Sequence, residues 1–249
     1  IASCLVGSEM CIRDSCYIVD LKTLLNSRRF VPDEQFRYSS EVLPTSDLCL
    51  LDDNRYIGYH MWYLDDKQFS KVDSPIGYYQ KGEDSGKGMD DFPFFVASVN
   101  GARLFKNPQT QELWTADMHR DAIRIYNDSL KQIRELVGPD HFSPEYTRRQ
   151  IDAPVAFVTF ADECDYHAYT DYYITDKHIY LVYEGNKHFD MKNLSPVEIF
   201  KLDFDGNLLC NYKPDRYVYS ISINKKEDTL YCASRSSVME PPVILKYKL

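Results

Sequence analysis

Along the centre of the chain, apolar and polar residues alternate with the period of two that marks a β-strand. Residues 111 to 136, QELWTADMHRDAIRIYNDSLKQIREL, hold three such runs: Leu113 to Ala116, Ala122 to Tyr126 and Gln132 to Leu136. In Ile123, Arg124 and Ile125, and again in Ile133 and Arg134, apolar and charged residues alternate, which predicts strands with one buried face. Asn127, Asp128 and Ser129 form a turn, because their short side chains bond back to the backbone. The stretch predicts an up-and-down meander.

The plan recurs. Residues 166 to 212 carry HAYTDYYIT, HIYLVYEG, VEIFKLDFDGN and LLCNY, with Asp205-Gly206 as a hairpin dipeptide between alternating runs. A third meander reads RYVYSISIN, turns at Lys225 to Asp228, continues as TLYCAS and closes as PVILKYKL. Upstream, the stretch from Asp47 to Leu64 splits at Asp52-Asp53-Asn54, a further segment lies at Gln68 to Val72, and Phe92 to Phe105 leads into the central meander. Cys16 to Leu21 reads as a strand followed by a polar link. Residues 81 to 91 and Gly138 to Arg149 read as loops, and Pro154 to Phe160 as a strand.

Tyr126-Asn127-Asp128, Leu202 to Gly206 and Ile244 to Tyr247 occupy equivalent third-strand positions. Their separations are roughly 75 and 45 residues, the first lengthened by an insertion at 138 to 165, and a period of about 40 to 50 with four strands per unit marks a β-propeller. The expected fold is therefore all-β, a propeller with about four blades' worth of strands.

Residues 167 to 185 and 196 to 249 resemble the TolB-like six-bladed β-propeller proteins of Bacteroidota. The resemblance is carried by IYLVYEG, LDFDGNLL, the Tyr217-Val218-Tyr219 run and the terminal VILKYKL. It implies a six-bladed propeller, incomplete here, that is exported to the periplasm or the cell surface, often on a lipid anchor, with no established activity. At the other end, LVGSEMCIRDS is what one reading frame of a sequencing-library adapter encodes. Residues 1 to 15 are accordingly set apart as non-native, residues 16 to 249 are read as the propeller fragment, and a signal region with a lipid anchor is expected upstream.

Composition narrows the classes. With 44% apolar residues, 14% aromatic residues and 20 tyrosines, the chain can build a packed core in which amphipathic rings line sheet faces. A net charge of −9 and a pI near 5.2 argue against nucleic-acid binding, which needs a Lys/Arg surface. No apolar run approaches the roughly 18 to 20 residues of a membrane helix. Setting Cys4 and Cys11 aside from the 7 cysteines leaves 7 − 2 = 5, none in C-x-x-C spacing, so no zinc or redox motif is expected.

Candidate chemistry lies in the loops between second and third strands, at the end of a propeller where ligands usually bind. These loops offer Asp117, His119 and Arg120, then Glu184 and His188, then Arg235. A non-enzymatic interaction module would use them to bind a protein or a glycan, with no cofactor and no metal. The alternative is a lactonase-like or other metal-assisted hydrolase, with Asp117, His119 and Glu184 converging on a metal or a water in the channel mouth. Histidine spacing matches no metal motif, and no G-x-S-x-G elbow occurs. Gly82 to Lys87 lacks the spacing of a phosphate-binding loop. Asp162 to His167 is the densest acidic and histidine cluster and reads as the rim of an insertion. Asp128-Ser129-Leu130 and Asp228-Thr229-Leu230 match a short O-glycosylation pattern of the same phylum.

Overall fold

The computed structural model describes residues 15–18, 20–27, 34–37, 47–52, 55–59, 67–73, 76–81, 101–144, 146–150, 156–160, 166–186, 192 and 194–249. Strand β1 (Ser15–Ile18) pairs with β2 (Glu34–Arg37), and helix α1 (Leu21–Ser27) lies between them. A four-stranded antiparallel sheet follows, made of β3 (Asp47–Asp52), β4 (Arg55–Tyr59), β5 (Lys67–Asp73) and β6 (Ile76–Lys81). The next comprises β7 (Ala102–Lys106), β8 (Leu113–Asp117), β9 (Ala122–Tyr126) and β10 (Gln132–Val137). After the hairpin β11 (Tyr146–Gln150) and β12 (Ala156–Phe160) comes the sheet of β13 (His167–Ile174), β14 (Ile179–Asn186), β15 (Glu198–Leu202) and β16 (Leu208–Tyr212). A three-stranded sheet of β17 (Val218–Ile223), β18 (Thr229–Ser234) and β19 (Val243–Lys248) completes the described elements.

Each of the larger sheets pairs its strands in sequence order, and their first strands β3, β7, β13 and β17 lie against one another in succession. Meanders stacked face to face around their first strands are the blades of a β-propeller. Side-chain bonds tie the first strands together: Arg103 on β7 donates to the Thr170 carbonyl on β13 at 2.8 Å, and the Ile221 amide on β17 donates to Asp171 on β13 at 2.9 Å.

Both faces of the inner blades are packed, and the period of two decides which residue faces which neighbour. In β8 and β9, Leu113 and Tyr126 pack with Ile57 of β4, whereas Trp114, Ala116, Ile123 and Ile125 pack against Tyr169, Leu181 and Phe200 of the β13–β16 blade. In β14, Ile179, Leu181 and Tyr183 face backward, and Tyr180 and Val182 face forward onto Val218, Ile221 and Cys232. This corrects the expectation that Ala122 to Tyr126 buries one face. Arg124 is 3% exposed, because the face it occupies is covered by the preceding blade and its charge is paired there.

One turn device recurs at the end of the propeller away from the candidate loops. Asn127, Asp203 and Asn224 each accept, through a side-chain oxygen, the amides of residues further along the turn, and the residue three positions on takes a left-handed φ: Leu130 at 60°, Gly206 at 86° and Glu227 at 56°. The hairpin expected at Asp205-Gly206 is present. Glycine takes a positive φ without the Cβ clash that Leu130 and Glu227 tolerate.

Elsewhere the structure departs from the sequence pattern. The strand expected over Cys16 to Leu21 spans Ser15–Ile18, and α1 replaces the link, capped by Asp20, whose Oδ1 accepts the Thr23 amide at 2.6 Å. Residues 146 to 149, read as loop, belong to β11 and pair with β12. A fourth strand, β6, extends the first larger sheet. Of Phe92 to Phe105, the part up to residue 100 lies outside the described residues, as do residues 82 to 91 and 161 to 165.

Candidate functional site

The loops between second and third strands gather at one end of the blades, beside the starts of the first strands. Register places them: Ala102 pairs with Asp117, His167 with Asn186 and Val218 with Ser234. A residue that ends a second strand therefore stands next to the entry of its own blade. Backbone bonds continue this from blade to blade, as the Ala168 amide donates to the Met118 carbonyl at 2.8 Å.

Asp117 is the last residue of β8 and is buried. Its Oδ2 accepts from Arg120 Nη1 at 3.0 Å and pairs with Arg124 Nη2 at 3.3 Å, and Arg124 Nε donates onward to Glu135 at 3.2 Å. Burial raises the Asp117 carboxyl above the ordinary carboxylate range, against the opposing pull of Arg124 and Arg120. Asp117 and Arg120 are thus parts of an ion chain within one blade.

Glu184 lies inside β14, also buried. Its Oε1 accepts the Tyr217 hydroxyl at 2.7 Å, and its Oε2 stands 3.5 Å from His167 Nδ1. Burial again raises the carboxyl, with the Tyr217 bond and His167 acting the other way. The His167 ring meets the His119 ring edge-on at 5.4 Å between centroids, and His119 Nδ1 lies 3.2 Å from the Tyr166 carbonyl. Arg235 follows β18 and lies over the Tyr219 ring at 5.1 Å. Of the residues singled out from sequence, His119 and Glu184 therefore join one chain of contacts through His167. Asp117 and Arg120 pair with each other apart from it, and Arg235 stands at its far end. His188 lies outside the described residues.

Two participants escaped the sequence reading. Tyr217 was seen as part of an aromatic run, yet it is the partner of Glu184. Asp121, the residue before β9, is a buried hub: its Oδ2 accepts the amides of Asp140 at 2.6 Å and His141 at 2.8 Å, and its Oδ1 accepts the Tyr169 hydroxyl at 3.2 Å. Asp140 accepts the Tyr183 hydroxyl at 2.8 Å. Those bonds bind the strand-to-strand connection after β10 onto the next blade.

Among the described residues no group of three or more His, Cys, Asp or Glu side chains is arranged to hold a metal ion. A cavity of about 340 Å³ opens on the side of the propeller, walled by Ile123, Leu136 and Val137 from one blade and Phe200, Leu202 and Leu208 from the next. Ser129 is exposed, whereas the half-buried Thr229 donates its hydroxyl to Asp228 at 2.9 Å. No helix among the described residues is long and apolar enough to cross a membrane.

Comparison with known proteins matches residues 96–226, just over half of the chain, to the model of a family described as TolB-like 6-blade propeller-like. No curated protein matches. Among solved structures, the chain is similar to the Neurospora crassa Pan2 WD40 domain at 9% identity and a TM-score of 0.45, covering 82% of this chain and 50% of that one. It is also similar to a quinonprotein alcohol dehydrogenase-like protein from Bacteroides thetaiotaomicron at 14% identity and a TM-score of 0.34, covering 82% of this chain and 51% of that one. The chain thus spans about half the length of these structures.

Proposed function

The chain belongs to the TolB-like 6-blade propeller-like family, and from that premise we propose that it acts without catalysis, as an exported binding module that receives a protein partner on its loop face. One observation carries the reading: the buried carboxylates of that face are already engaged in holding the blades. Asp117 is paired with Arg120 and Arg124, Glu184 with Tyr217 and His167, and Asp121 with two amides and Tyr169. A general base must be able to reach the proton it removes. These groups instead give the loops a fixed frame, which lowers the ordering cost of binding a partner.

The hydrolase reading would need Asp117, His119 and Glu184 around one reacting carbonyl. Asp117 faces Arg124 within its own blade, whereas Glu184 faces the junction with the next. Export is the feature that the family suggests for this module. Fractionation of cells expressing the complete gene tests it, with the protein expected outside the cytoplasm.

The binding role is tested by placing a photo-crosslinking residue at His119 on the loop face and, separately, at Lys225 on the opposite turn of the complete gene product. The expected result is a discrete protein adduct from position 119 and none from 225. Hydrolysis of γ-lactones or aryl esters that disappears in Glu184→Gln would replace this reading with the catalytic one.

A further inference from the structure

Resting on the loop-face reading, we propose that the mouth between β14 and the β17–β18 hairpin receives a carboxylate from an acidic segment of the partner protein, held by Arg235 and Ser234. Ser234 is 1% exposed and its hydroxyl has no partner among the described residues; the buried Nε of Arg235, the next residue, has none either. A guanidinium can only donate, so a buried N–H of this kind calls for an oxygen acceptor. Unpartnered donors on two residues consecutive in sequence, at the end of β18, are the kind a carboxylate satisfies, because it accepts several hydrogen bonds and pairs with arginine in a charge-assisted geometry.

The two donors stand within the chain of contacts already described. Val218 pairs with Ser234, so Tyr217 lies one residue beyond the pair, and the Arg235 charge acts on the Tyr217 phenol. The Arg235 guanidinium carbon lies 5.1 Å from the Tyr219 ring centroid, within cation–π reach.

In two ion pairs of this face the basic member is the outer one. In the Asp117–Arg120 pair the carboxylate is 1% exposed and the arginine 22%. In the Glu184–His167 pair the values are 2% and 22%. In both pairs the carboxylate is the inner member and the basic group the outer one, in a chain whose net charge is −9. These outer groups come from three successive blades: Arg120 after β8, His167 on β13 and Arg235 after β18. They form an arc, and an elongated acidic segment spans an arc that one small acid cannot.

The test is fluorescence anisotropy of the whole protein with a labelled hexaglutamate peptide and its hexaglutamine counterpart. The charged peptide is expected to bind at least about tenfold tighter than the neutral one, and Arg235→Gln to remove most of that difference. Ser234→Ala deletes only a hydroxyl without a partner among the described residues, and is expected to weaken the charged peptide about threefold with the melting temperature unchanged. It carries the test if Arg235→Gln unfolds. Lys225→Gln, on the opposite turn, is expected to leave binding as it is. Equal affinity for the two peptides, or wild-type affinity in both site variants, overturns the proposal. Tighter binding of hexagalacturonate or free glutarate than of hexaglutamate also overturns it, by assigning the site to another acid. Crosslinks from position 119 that persist in Arg235→Gln would leave the loop-face reading standing while the carboxylate site falls.

Discussion

Tyr217 donates its hydroxyl hydrogen to Glu184 at 2.7 Å, so the second strand of one blade is fastened to the residue that enters the next. Tyr217→Phe keeps the ring in its place and removes the donor. A buried acceptor that loses its partner costs about 1 to 3 kcal/mol, and urea denaturation is expected to show a loss of that size.

The pH dependence of Glu184 has a definite sign. Burial raises its folded pKa above the ordinary 4.5, so the folded chain holds this proton at a pH where the unfolded chain has released it. The stabilisation from this proton is fully present below the unfolded value and is lost as pH rises through the folded one. Glu184→Gln removes that dependence. Urea midpoints measured from about pH 4 to 8 are expected to fall less steeply in the variant than in the wild type over the rise from 4.5.

Glu227 has the opposite sign. Burial pushes its carboxyl up, but hydrogen bonds from Thr175 and His178 outweigh burial and hold it below 4.5. His178 Nδ1 lies 2.5 Å from Glu227 Oε2, and Lys201 and Tyr180 reach the same oxygen at 3.4 and 3.3 Å. The stability it contributes is present above the unfolded value and is lost as pH falls through the folded one. Protection factors at the β17–β18 turn, taken as exchange relative to the intrinsic rate at each pH, are expected to fall on acidification in the wild type, and to be low at neutral pH in Glu227→Gln.

Arg124 tests the ion chain. Removing one partner of a buried pair strands the other, at about 3 to 5 kcal/mol. Arg124→Met is expected to lose less than that in chemical denaturation, because Arg120 still holds Asp117 Oδ2, and Asp117→Leu in the same chain to recover part of the loss, because the carboxylate that lost Arg124 is then gone as well.

Gly138 tests the Asp121 hub. A Cβ there would stand 1.8 Å from Asp121 Oδ1 and 2.6 Å from the Tyr169 hydroxyl oxygen. Gly138→Ala is expected to destabilise the protein by about 1 to 3 kcal/mol, as over-packing does in cores, with faster exchange of the Asp140 and His141 amides.

The repeat was legible because its signals are local. Asn127, the Asp205-Gly206 pair and the Lys225 to Asp228 turn mark where strands reverse, and the unbroken apolar run IYLVY is what a strand packed from both sides requires. α1 was not legible, because a helix of 7 residues gives too few turns for its period to stand out, and Asp20, which caps it, falls inside the run that reads as a strand. The candidate site was harder to read. Glu184 and Arg235 could be picked out as charged residues near loops, but their burial and partners depend on which blade covers each face. Tyr217 stands 33 positions from Glu184, and nothing local in the sequence announces that bond. Arg124 misled for the same reason: a charge in an alternating run reads as solvent-facing until the neighbouring blade supplies its cover.

The loop face as the binding face is tested most directly by hydrogen exchange of the protein with and without excess hexaglutamate peptide. Slower exchange is predicted at residues 117–121, 166–168, 184–185, 217–219 and 234–237, with the turns at 127–131, 203–207 and 224–228 unchanged. Protection confined to those turns, or spread over the side cavity walled by Leu136 and Leu208, would contradict it.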